Sequence, residues 1–152
     1  MRSKIAKYLM LGAAIIFIAM QLVQPDRTNP AANPAASFAV VAKPAPEVTA
    51  IFKRACADCH SNETIWPWYS RVAPASWLVA DDVKDGRAHI NLSEWNFLSP
   101  EAARLKLKTA CKLVRDGKMP LWQYRLMHTE ARLTAADVDK ICSASDSMTP
   151  LR

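Results

Sequence analysis

No stretch of this 152-residue chain alternates apolar and polar residues well enough to read as a strand, which excludes a sheet protein and the βαβ surround of a thioredoxin-like dithiol. Cysteine and histidine are scarce, at four and three, and outside one cluster they do not recur at the close, paired spacing that a zinc site needs. Charge imbalance is scarce where it would count. The whole chain carries +6, but from Ala45 onward fifteen Lys and Arg face thirteen Asp and Glu, so the body of the protein is near neutral and nucleic acid is not an expected partner. The excess belongs largely to the N-terminal residues and the segment after them. Arg104, Lys108, Lys112 and Arg115 do share one side of an expected helix, where they read as a solvated face.

What the chain has first is an apolar run. Arg2, Lys4 and Lys7 precede residues 8–23, a run broken only by Gly12 and Gln21, which is the layout of a signal peptide or a membrane anchor with its basic end in the cytoplasm. No small-x-small cleavage site follows directly, since Gln24-Pro25-Asp26-Arg27 comes next, and no early cysteine offers a lipidation site. The expectation is therefore an uncleaved single-pass segment, residues 1–23, in a bacterial inner membrane, with everything after it in the periplasm. Cleavage to a soluble periplasmic protein is the alternative. Residues 24–46, rich in Pro and Ala, read as a semi-rigid extended linker, of which the apolar patch 38–42 could instead lie against the domain. Residues 47–146 are enough for one small core, and residues 147–152 form a tail.

Cys56-Ala57-Asp58-Cys59-His60 is a C-x-x-C-H pentapeptide, the pattern of covalent c-type haem attachment. Two thiols at this spacing add across the haem vinyl groups, and the adjacent histidine coordinates the iron from one face. One covalent haem c held by Cys56, Cys59 and His60 is the expectation. The other ring nitrogen of His60 is expected to donate to a backbone carbonyl in the 64–74 loop, because a ligating imidazole needs such an outer partner.

Helices are expected around this motif. Val48, Ile51, Phe52 and Ala55 recur at helical spacing and run straight into Cys56. A second helix is expected over residues 76–85 with Gly86 as its C-terminal cap. A third begins with Ser99 as cap and Pro100 in the first turn, carries Ala103, Leu107, Ala110 and Val114 as its apolar stripe and stops at Gly117. The last begins at Thr134, with Asp137 completing a capping box. Cys111 and Cys142 then fall on the last two helices; an even pair left over in an oxidising compartment is expected to form a disulfide, the alternative being two small buried apolar residues. Trp66, Trp68, Tyr69, Trp77, Trp95, Trp122 and Tyr124 read mostly as packing, with propionate bonding as a further use.

An N-terminal helix into C-x-x-C-H, intermediate helices, a Met-Pro loop and a C-terminal helix together resemble a class I cytochrome c, so an all-α domain around one haem is the expected fold. The stretches CADCHSNETIWPWYSRVAP (residues 56–74), GRAHINLSEW (86–95) and GKMPLWQYRLMHTEARLT (117–134) resemble more closely the small bacterial family known as the haem-binding domain. That resemblance implies haem binding and export, and assigns no role to Cys111 or Cys142. Met119, followed by Pro120 and lying before the last helix, stands where class I cytochromes c carry their thioether ligand, so it is the expected distal ligand, with His128 as the alternative and an open site as a third arrangement. His89 and Met127 are further candidates, the first reading rather as a structural histidine and the second as core filling. The expected function is a membrane-anchored electron carrier, not an enzyme, passing single electrons between redox partner proteins. A haem sensor or peroxidase-like protein with a labile sixth site is the rival, and a structural metal-binding module the third reading.

Overall fold

Val48, Ile51, Phe52 and Ala55 are all buried, and they form the inner face of a helix that Pro46 opens and Glu47 suits with a negative charge in its first turn. In this computed structural model, which describes residues 2–147, the helices are α1 (Arg2–Gln21), α2 (Phe38–Val41), α3 (Pro46–Ala55), α4 (Ala57–His60), α5 (Ala75–His89), α6 (Pro100–Arg115), α7 (Trp122–Met127) and α8 (Ala135–Ser147). Among the described residues there is no strand. Short 3-10 turns at Trp68–Arg71 and Trp95–Phe97 join them. Apart from Ser147, the expected tail lies outside the described residues.

The punctuation of α6 and α8 is as expected. The Ser99 hydroxyl accepts from the Ala102 N–H, and Gly117 takes a positive φ of 66° just past the helix end. Thr134 and Asp137 cap each other: the Thr134 N–H donates to Asp137 Oδ2 (2.8 Å) and the Asp137 N–H to Thr134 Oγ1 (3.1 Å). Arg54 reaches Asp137 at 2.7 Å, tying α3 to the start of α8. The backbone bond from Thr134, then the Arg54 guanidinium, hold the Asp137 carboxyl down at about 2. A carboxyl depressed in the folded state stabilises above its unfolded pKa, near 4, and loses that contribution as pH falls toward 2. Asp137→Asn should therefore flatten the acid limb: the fall in melting temperature between pH 5 and pH 2 should be smaller than in the parent, and an unchanged fall would refute this.

α6 and α8 pack face to face through Leu107, Val114, Ile141 and Ala144, and the structure joins Cys111 to Cys142 across them with Cα atoms 4.8 Å apart. A cross-link over 31 residues restricts the unfolded chain, so replacing both cysteines by alanine should cost about 2–4 kcal/mol. Alkylation of the unfolded protein, mapped by peptide, should label neither Cys111 nor Cys142 before reduction and both after it; label on both without reduction would exclude the bond.

Residues 24–46 do not run out as a spacer. Asn33 caps a 3-10 turn at Pro34–Ala36, and Phe38 is only 3% exposed, with its ring 4.8 Å from Phe52 and 4.7 Å from Trp95. Burying Phe38 contributes about 2 kcal/mol and, together with hydrogen bonds of Arg27 and Asn29 with the domain, holds a Pro- and Ala-rich strap that has no apolar periodicity of its own. Trp95, likewise, is core. Gly86 is not a cap: α5 runs three residues past it, and the reason lies in the site.

Candidate functional site

α3 delivers Cys56, whose N–H still bonds to the Phe52 carbonyl (3.0 Å) and whose carbonyl accepts from the His60 N–H (2.9 Å). The pentapeptide is thus one helical turn, which puts Cys56, Cys59 and His60 on one side at i, i+3 and i+4. Both thiols are free and half-buried. Burial pushes each up to about 12, with the Cys59 thiol raised further by the nearby Asp82 and Asp58 carboxylates against the pull of Arg87. Neither is a standing thiolate, so the turn lacks the activated cysteine of a disulfide oxidoreductase.

His60 is held from α5. Its Nδ1–H donates to the carbonyls of Gly86 (2.8 Å) and Ile90 (3.1 Å). The expected acceptor in the 64–74 loop is therefore corrected: the end of α5 supplies it, because that helix lies directly on α4. Two carbonyl acceptors require the proton on Nδ1, and burial favours the neutral ring, which leaves the Nε2 lone pair available to a metal. Gly86 makes this approach achievable. A Cβ at that position would stand 2.4 Å from the Cys59 carbonyl oxygen, a backbone atom that cannot swing aside. The 61–66 loop is clamped to the same helix by Arg87, whose Nε donates to the Ser61 carbonyl (2.7 Å) and whose Nη2 donates to Thr64 Oγ1 (2.8 Å). Thr64 Oγ1 in turn donates to the Asp58 carbonyl at 2.6 Å.

The opposite flank carries an aromatic group that composition hinted at and spacing did not assemble. Tyr124 donates its phenol proton to Asp58 Oδ2 (2.7 Å), stacks on the His128 ring at 4.2 Å, and His128 Nε2 pairs with the Tyr69 hydroxyl at 2.9 Å. His128 Nδ1 faces Glu130 at 3.1 Å. Burial first, then the Asp58 carboxylate, raises both phenols, so each remains a donor at neutral pH. Both nitrogens of His128 are thus engaged. Met119 is part-buried against the same apolar cluster that Cys56 and Ala57 pack on. His89, at the exposed end of α5, bonds within its own helix to the Asp85 carbonyl (3.0 Å), in keeping with a structural role. Met127 does not fill the core; it is 53% exposed on α7.

These residues fit a haem bound through the vinyl groups. Two unpaired thiols and a neutral imidazole with one free nitrogen are the donor set such attachment requires. Trp68, Trp122, Leu126 and Met127, all more than half exposed, sit on the elements that bring Tyr69 and Tyr124 to the motif, leaving apolar surface of the kind a porphyrin covers. A cavity of about 600 Å³ between Val48, Trp95, Ala103, Arg104 and Asp139 includes no residue of the pentapeptide and belongs to another part of the domain. Among the described residues no three His, Cys, Asp or Glu side chains converge as a metal cluster. A family model described as a haem-binding domain matches residues 15–145, from within α1 to within α8. Neither a curated protein nor a solved structure matches the chain.

Proposed function

The chain belongs to the haem-binding domain family, and from that premise we propose that it is a monohaem c-type cytochrome, anchored by α1 in the bacterial inner membrane with its domain in the periplasm, that passes single electrons between redox partner proteins. The observation that carries this is the turn itself: two free thiols beside an imidazole whose Nδ1 is pinned by Gly86 and Ile90. Bound haem would supply reversible one-electron exchange at iron. The protein's part is to hold His60 in one tautomer, fix the two thioether positions one helical turn apart, and set access to the other face. α1 is long and apolar enough to cross a membrane.

For that other face Met119 is the proposed ligand and His128 the alternative. His128 would have to give up its Tyr69 bond and the stack on Tyr124, whereas Met119 has only packing to rearrange. Thioether ligation raises the potential and blocks diatomic ligands, as suits a carrier. Full-length protein should titrate as a single one-electron couple and, when reduced, should leave the carbon monoxide spectrum unchanged. Met119→Ala should lower the potential and admit carbon monoxide. If the parent binds carbon monoxide, the sixth site is open and the sensor or peroxidase-like reading takes over. If His128→Ala and not Met119→Ala admits the ligand, the site is bis-histidine.

A further inference from the structure

The last residue of α1 is bonded to the domain. Gln21 Nε2 donates to the Ala73 carbonyl (3.2 Å), and the Ala73 N–H returns a bond to Gln21 Oε1 (2.9 Å). Two residues on, the Val23 carbonyl accepts the indole N–H of Trp77 (2.6 Å). The strap continues along the same edge: Arg27 donates to the Ser70 carbonyl (3.2 Å), and Asn29 bonds to Thr64, Trp66 and Arg87, the residues that frame the pentapeptide.

This latch fixes a depth. α1 has 20 residues, none of them buried by the domain, but from Lys7 to Gln21 it rises only about 21 Å, short of the roughly 30 Å hydrocarbon core of a bilayer. With Lys7 reaching one aqueous boundary, Gln21 and Val23 are held no farther out than the other. The headgroup layer is roughly 5–7 Å deep on each side, thicker than a hydrogen bond is long, so the groups bonded to Gln21 and Val23 lie within that layer or at its edge. Those groups belong to Ala73 and Trp77. Beside them Leu22, Val23, Val72 and Trp77 expose apolar surface, and tryptophan with one polar N–H is the side chain that suits a membrane interface.

We propose that the corner between the Trp68–Arg71 turn and α5, centred on Val72 and Trp77, docks on the headgroup layer of the same bilayer that α1 crosses. The domain then rests on the membrane in one orientation instead of swinging on a spacer, and its partners must reach the haem-attachment turn at the membrane surface. This rests on the reading of α1 as a retained anchor.

The test uses the full chain in vesicles of phosphatidylethanolamine and phosphatidylglycerol, with photoreactive p-benzoylphenylalanine replacing Ile16, Val72 or Leu105 one at a time. Illumination should give lipid adducts at positions 16 and 72, and several-fold less at 105, an exposed leucine of α6 outside the latch. Gln21→Ala should lower the yield at 72 several-fold and leave that at 16 unchanged. Lipid adducts at 16 without any at 72 would overturn the docking while the anchor stands. Absence of adducts at both would overturn the anchor and the docking with it. Equal yields at 72 and 105, or adducts at 72 only to a second copy or another protein, would also refute it.

Discussion

Protein made in a host with an active c-type maturation system should come through acid-acetone extraction one haem heavier, and the double variant Cys56→Ala/Cys59→Ala should lose that added mass completely. Acid breaks the iron–histidine bond and dissolves free haem, but thioethers survive it, so retention reports the covalent links and nothing else. The single variants should each keep one link and load less. The expectation follows from the geometry of one helical turn: Cys56 and Cys59 stand unpaired on the side that carries His60, whereas Cys111 and Cys142 are joined elsewhere and compete for neither vinyl group. An unmodified mass in the parent, or haem released by the extraction, would remove the c-type assignment and leave a haem held by coordination alone.

Gly86→Ala should be among the most damaging single-methyl substitutions in the domain. Its Cβ would lie 2.4 Å from the Cys59 oxygen and 2.9 Å from the Cys59 carbonyl carbon, so α5 would have to move off α4. Overpacking of this kind costs about 1–3 kcal/mol, and moving α5 also displaces the Gly86 carbonyl that accepts from His60. Stability and haem loading should therefore fall together. Gly12→Ala, with open space around the position, should change neither. Equal melting temperature and equal haem content in Gly86→Ala and the parent would show that the two helices tolerate separation.

Much of the helical frame could be read directly from the chain, because local chemistry decides where these helices start and stop. Ser99 before Pro100, Thr134 three residues before Asp137, and the 48–51–52–55 apolar spacing each act within a few residues, and each is found in the structure as a cap or a buried face. The pentapeptide is legible for the same reason: its five residues need only one turn to converge. Gly86 shows the limit. A glycine near a helix end looks like a cap, and only the packing of α5 on α4 reveals that the missing side chain makes room for a backbone oxygen 27 residues earlier in the chain.

By itself the sequence determined the class of fold, the Cys56–His60 turn and the apolar helix that precedes it, all set by periodicity, capping and the spacing of reactive groups. Tertiary structure decided the rest. It chose α5 over the following loop as the partner of His60, brought Tyr124 to Asp58 and Tyr69 to His128 across 66 and 59 residues, and folded the Pro-rich segment back through Phe38. These contacts depend on which helix faces lie against each other, and that is settled by burial of the shared core, a property no local stretch of the chain contains.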